Sequence, residues 1–166
     1  MKPQHIYIGS DHGGWQVKQE LVPWLREQYP AVEDMGAQEL NPEDDYPVFA
    51  QRVGERVSHA ALSLGLTPAS AQNPETVGIL LCRSGAGMTI VANRFPLVRA
   101  VVCRNQDDAR LAREHNNANI VVLEGDHVSI EEAKSIISSF LETEFAGGRH
   151  ARRLEQIADL DRDMIG

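Results

Sequence analysis

The chain has 166 residues, 42% of them hydrophobic and 24% charged, which suffices for one compact domain spanning residues 1–166 and leaves no room for a second substantial one. A formal charge of −8 argues against a nucleic-acid partner, because binding to a polyanion is driven by phosphate neutralisation, yet it allows local capture of a small anion. No apolar run approaches the roughly 20 residues that span a bilayer, and Met1 to Ile8 lack the basic-plus-apolar pattern of a secretory signal, so the expectation is a soluble cytoplasmic protein with no membrane partner.

In chain order, a strand-like run from His5 to Gly9 leads through Ser10-Asp11-His12-Gly13-Gly14 into a helical stretch that ends near Gln28. A second strand is expected over Ala31–Asp34 and a helix from Pro47 to about Leu64, followed by a loop from Gly65 to Thr76 that carries two prolines and small polar residues. Val77–Cys82 is a nearly continuous apolar strand, and the glycine-punctuated loop after it opens a helix over Gly87–Asn93. Further strands over Arg99–Cys103 and Asn119–Leu123 alternate with helices over Asp107–Glu114 and Ser129–Leu141, the last started by Ser129 as N-cap. A final helix from Gly148 to about Asp161 follows a Gly147-Gly148 hinge. This alternation predicts an α/β fold: a three-layer α/β/α sandwich around a five-stranded, parallel, Rossmann-like sheet, with an added C-terminal helix.

The loop after Cys82 is where the chemistry is expected. In open parallel sheets ligands bind beyond the carboxyl ends of strands, and glycines there leave backbone N–H groups free to face an anion. Those groups, with the positive end of the following helix, are expected to lower the Cys82 thiol pKa and make it a base or nucleophile beside an oxyanion site. Cys103 reads as an ordinary strand residue, and a bridge to Cys82 has no support in a chain without a secretory signal.

Three other pieces carry weaker signals, and all four are expected to converge at the carboxyl edge of the sheet. Asp11-His12 before two glycines is either a capped turn or a site. His115 stands where a helix end favours a cation. Arg149 and Arg153, four apart, form either a two-pronged grip on a phosphate or a surface pair. The loop lacks the Lys-Ser/Thr ending of a P-loop and the spacing of a dinucleotide fingerprint, so a small phosphorylated ligand remains. No cofactor and no metal are expected, since His12, His115 and His150 have no carboxylate or thiolate at ligand spacing among them.

At this point the chain resembles the ribose-5-phosphate isomerase B family, which includes galactose- and allose-6-phosphate isomerases. The resemblance is carried in order by Ile8-Gly-Ser-Asp-His-Gly-Gly, Asp45-Tyr46-Pro47, Gly78 through Met88, Ala92-Asn93-Arg94, Arg99-Ala100, His115 through Asn119, and Gly147-Gly148-Arg149-His150 with Arg153. It implies an aldose–ketose isomerase working through an enediolate on a sugar phosphate, with ribose 5-phosphate first and a six-carbon sugar phosphate, or binding without catalysis, as rivals. By the same resemblance Cys82 is the base that moves a proton between C1 and C2, Ser84 handles protons on the two oxygens, and His115 assists ring opening. Asp11 and Asn116 contact the sugar, the loop through Gly85 and Gly87 holds the oxyanion, and His12, Arg149 and Arg153 lie on the phosphate side. The family builds its site at a dimer interface, so a homodimer or dimer of dimers is expected, with the helix over about 148–162 packing on a partner subunit. Two positions depart from the family pattern: Arg83 replaces a small residue, and Asp126 stands where an arginine is usual. Arg83 is therefore expected to supply the missing phosphate charge from another direction.

Overall fold

A computed structural model describes residues 3–67 and 74–165, with side chains through residue 160. Its elements are β1 (His5–Ser10), α1 (Trp15–Gln28), β2 (Val32–Asp34), α2 (Tyr46–Ser63), β3 (Thr76–Cys82), α3 (Ala86–Ala92), β4 (Ala100–Val102), α4 (Gln106–Asn116), β5 (Ile120–Glu124), α5 (Ile130–Glu142) and α6 (Arg149–Ile165). The strands form one five-stranded sheet in the order β2-β1-β3-β5-β4, every pairing parallel. Strands β2 and β4 are shorter than the apolar runs suggest; each is an edge with a single neighbour, and the flanking Ala31, Arg99 and Cys103 keep only one-sided hydrogen bonds to it. Of the expected 65–76 loop, residues 68–73 lie outside the described part of the chain.

The period of two in the central strands sorts side chains between two cores. Ile79 and Leu81 of β3, with Val121 and Leu123 of β5, pack under α1, α4 and α5 against Leu21, Leu25, Ala109, Ile137 and Phe140. Leu80 and Cys82, with Ile120 and Val122, face α2 and α3 against Phe49, Val53, Met88 and Ala92. Burial on both faces is why these strands read as unbroken apolar runs. Each buried Leu, Ile or Val contributes about 1.5–3 kcal/mol, so this alternation dominates the stability of the sheet.

Helix ends are fixed by local chemistry. Ser129 and Glu132 form a reciprocal capping box at α5. Asn105 Oδ1 accepts the Asp108 N–H at 2.8 Å to start α4, and Asn117, in the left-handed region at φ 45°, stops it. Under α1, the fully buried Lys18 donates to Asp34 Oδ2 at 2.5 Å, so its charge enters the interior already paired.

From β1 the chain runs outward to β2, then crosses to β3 on the other side of β1. Helix α1 packs on one face and α3 on the other. The helices leaving β1 and β3 therefore diverge to opposite faces, and in open parallel sheets the ligand crevice lies at such a switch point.

Candidate active site

The crevice is lined on one side by the turn after β1. Asp11 is buried, and its Oδ1 accepts the N–H groups of Gly13 at 2.9 Å and Gly14 at 3.3 Å, so the Asp-His-Gly-Gly sequence is a capped turn. Burial raises the Asp11 carboxyl above its ordinary value; the His12 charge and the two N–H groups oppose the rise, and Asp44 adds to it. His12 is held by Asp44, whose Oδ1 accepts the His12 backbone N–H at 3.0 Å and lies 2.6 Å from the ring Nδ1. Asp11, His12 and Asp44 bring ligand-capable atoms within 4.8 Å of one another, a grouping invisible in the spacing of the sequence.

On the other side, β3 ends on Cys82, whose side chain faces α2 and α3 and is only 5% exposed. The turn passes through exposed Arg83 and Ser84 to Gly85, which takes φ +73° at the head of α3. Backbone N–H groups of Met88, Gly85 and Ser84 face the sulfur and favour the thiolate, as the glycine loop implies. Burial outweighs them, however, and with the Asp11 charge it pushes the thiol above its ordinary value. The expectation of a lowered Cys82 pKa is thus corrected: the donors are present, and the cost of desolvating the anion is larger. Gly87 makes room for an aromatic ring, since a Cβ there would fall 2.6 Å from Tyr46 Cε2.

Three loops are knit into one wall. Gly125 donates to Cys82 O at 2.7 Å, Asp126 donates to Arg83 O at 3.3 Å, and a Cβ at Gly125 would lie 2.4 Å from Gly13 O. The Arg83 stem runs beside Gly13, and its Nη1 stands 3.5 Å from Asp126 Oδ2. Arg83 and Asp126, the two positions expected from the sequence to depart from the resemblance, therefore face each other. Both are well exposed, so their pairing contributes little.

The second expected half of the site is elsewhere. Helix α4 runs antiparallel to the strands it joins, carrying His115 and Asn116 to the amino edge of the sheet. There, Arg99 Nε donates to Asn117 O at 2.9 Å and Asn119 Nδ2 to Leu97 O at 2.9 Å, both just before β4. Gly78 is level with Ile120 and Cys82 with Glu124, so about 13 Å of strand separates the level of the thiol from the start of β5, at about 3.3 Å per residue. One chain does not bring His115 and Cys82 together, and the expected convergence of all four pieces at the carboxyl edge is corrected: strand direction sends the C-terminus of a crossover helix to the opposite edge.

The arginine-bearing helix stays with His115. Ala146 N–H donates to Glu114 O at 3.0 Å, α6 lies against α4 of its own chain with Leu154 and Ala158 buried, and the His150 ring stacks on His115. Arg149 and Arg153 are exposed beside this pair. Gly147 and Gly148, at φ +64° and +56°, make the turn that leads into α6. Sequence reasoning missed Asp44 and Tyr46 as site residues, although the Asp45-Tyr46-Pro47 motif lies at and beside them.

The molecule thus presents a thiol at the switch point of a parallel sheet under convergent N–H groups, and a separate cationic group of histidine and arginines. The model of the Ribose/Galactose Isomerase family matches residues 6–157, and the chain belongs to that family. It is 34% identical over 158 residues to the probable ribose-5-phosphate isomerase B of Mycoplasma pneumoniae, covering 95% of each chain. Among solved structures it is similar to ribose-5-phosphate isomerase B from Mycoplasma genitalium with bound ribulose-5-phosphate, at 33% identity and a TM-score of 0.84, covering 95% of this chain and 96% of that one. It also matches the enzyme from Thermotoga maritima at 40% identity and a TM-score of 0.78, covering 93% and 97%.

Proposed function

We propose that this chain interconverts ribose 5-phosphate and ribulose 5-phosphate, with Cys82 as the base. The observation that carries the reading is Cys82 at the crevice between β1 and β3, under the N–H groups of Ser84, Gly85 and Met88. In the forward direction the Cys82 thiolate removes the C2 proton of the open-chain aldose, and the C–H electron pair moves into the C1–C2 bond as the carbonyl oxygen becomes an enediolate oxyanion. The proton returns to C1 while the hydroxyl proton passes from O2 to O1, a transfer suited to Ser84 beside the thiol. Donors aimed at the developing oxyanion are worth about 3 kcal/mol each. That role falls to the turn through Gly85 and Gly87, with Asp11 and Asn116 on the sugar hydroxyls.

The thiolate is the form that takes the proton, so the buried thiol must first give its own proton to solvent; its raised pKa makes the thiolate scarce and, once formed, a stronger base toward the C2 proton. Ring opening and phosphate capture need the group around His115, Arg149 and Arg153. Because His115 and Cys82 sit at opposite edges of one sheet, the reading includes a homodimer, or a dimer of dimers, in which each site takes Cys82 from one copy and His115 from the other. Arg83 adds a cation, and His12 a ring nitrogen, on the Cys82 side to hold a phosphate dianion on a chain of charge −8.

The reading also includes a cytoplasmic location and a role in pentose phosphate metabolism, supported by two buried free thiols suited to a reducing compartment. Among the described residues no helix is long and apolar enough to cross a membrane. Incubation with ribose 5-phosphate in deuterated water, followed by NMR, tests the reaction directly: ribulose 5-phosphate forms and deuterium appears at the exchanging carbon. Turnover of allose or galactose 6-phosphate instead reassigns the substrate, and no exchange with any of the three overturns the reading.

A further inference from the structure

We propose that Asp44 is a positioning residue that fixes the ring orientation and tautomer of His12. Asp44 belongs to the segment leading into α2, 32 residues from His12, and one of its oxygens takes both the His12 backbone N–H at 3.0 Å and the ring Nδ1 at 2.6 Å. The double contact ties the ring to its own backbone through a single acceptor, so the torsions of His12 are closed into a small cycle. An ionised carboxylate only accepts, hence Nδ1 carries the hydrogen and Nε2 is the ring atom that Asp44 leaves unengaged. On the neutral ring Nε2 accepts from a sugar hydroxyl; on the imidazolium it donates to a phosphate oxygen.

The environment of Asp44 argues that this contact, and not stability, is its role. Its side chain is only 9% exposed, and Oδ2 is buried without a hydrogen-bond partner. Asp44 also raises the neighbouring Asp11 carboxyl, so two acidic groups are crowded at one point. A buried carboxylate oxygen with no donor beside a second carboxyl weakens the fold. The His12 ring, in contrast, stays 22% exposed at the crevice, held in place but open to a ligand.

The test uses the full-length chain as wild type, Asp44→Ala and Asp44→Asn. Nitrogen-15 NMR of the ring nitrogens, with His12 assigned by His12→Asn, reads the tautomer without any appeal to activity. The wild-type ring carries its hydrogen on Nδ1; Asp44→Ala loses that preference, and Asp44→Asn, whose Oδ1 still accepts, restores it. The thermal midpoint of Asp44→Asn, which keeps an acceptor for the His12 backbone N–H, stays level. Unchanged His12 nitrogens in Asp44→Ala overturn the proposal. The kinetic arm rests on the isomerase reading: with ribose 5-phosphate, Asp44→Ala raises KM about tenfold with kcat within about threefold, as expected when a ground-state grip is lost. A fall in kcat with KM unchanged also overturns the positioning role. Failure of the wild type to turn over any sugar phosphate overturns the isomerase reading alone, since the ring-nitrogen result still decides for or against Asp44.

Discussion

The imidazole rings of His115 and His150 stack face to face, with centroids 4.3 Å apart and planes 6° from parallel. This contact joins the end of α4 to the start of α6 and makes His115, Arg149 and Arg153 one unit, carried away from the Cys82 crevice of the same chain. Two inactive variants should therefore complement each other. In the proposed homodimer, Cys82→Ala and His115→Asn, each expected to be inactive alone, regain about a quarter of wild-type activity when unfolded together in equal amounts and refolded, because half the dimers would be mixed and each mixed dimer would have one intact site. Mixed samples no more active than either variant exclude the shared site.

The same stack predicts a coupled titration. His150 is lowered from the ordinary histidine value by desolvation first, then by His115, Arg149 and Arg153, with Glu114 opposing. Replacing His115 by Asn removes one opposing charge, so His150 gains its proton at higher pH. Glu114→Gln acts in the other direction and moves the His150 transition to lower pH. Proton NMR of the His150 ring across pH 4 to 9 reads both, and an unmoved His150 in His115→Asn shows that the rings do not stack in solution.

For Cys82, burial decides the pH dependence. The reactive form is the thiolate, and a raised thiol pKa leaves little of it near neutrality. Inactivation of the ligand-free protein by iodoacetamide should therefore speed up about tenfold per pH unit through the neutral range, and a bound sugar phosphate should protect. A plateau reached by pH 7 means that the N–H groups outweigh desolvation after all. Cys82→Ala abolishes isomerisation without moving the thermal midpoint by more than a few degrees.

Arg83 and Asp126 supply a test of anion capture. Their 3.5 Å pairing at the rim holds the guanidinium beside Gly13, near the crevice but weakly committed. Arg83→Gly should raise KM for ribose 5-phosphate by an amount equivalent to about 1.5–3 kcal/mol, with kcat little changed, because a remote phosphate is gripped alike in ground and transition states. Asp126→Arg in that background recovers much of the loss. An unchanged KM in Arg83→Gly identifies Arg83 as a rim residue that touches only Asp126.

The buried pair under α1 gives a stability prediction. Asp34→Ala leaves the fully buried Lys18 ammonium without its partner and removes the acceptor for the Gly36 N–H, at a cost of about 3–5 kcal/mol. Adding Lys18→Met restores much of it, since an apolar side chain needs no partner there. Chemical denaturation of the three proteins checks the order, and a single Asp34→Ala cost below about 1 kcal/mol contradicts the pairing.

Strand runs, helix spacing and the glycine loop after Cys82 were legible in the sequence because each is a local pattern whose period reports burial. All five strands and the placement of Cys82 at a strand end follow from that, as does the Ser129 cap. The family motifs added roles to residues but said nothing of the edge on which each one stands. Tertiary structure decided the rest. Strand order placed the switch point between β1 and β3, the antiparallel course of α4 removed His115 from the crevice, and folding across 32 residues put Asp44 rather than Asp45 on His12. Even the direction of the Cys82 shift was settled there, since N–H donors can be read from a glycine loop while desolvation depends on side chains brought in from α2, α3 and β5. Local propensity travels with the chain, whereas burial and electrostatics depend on which distant segments the fold makes neighbours.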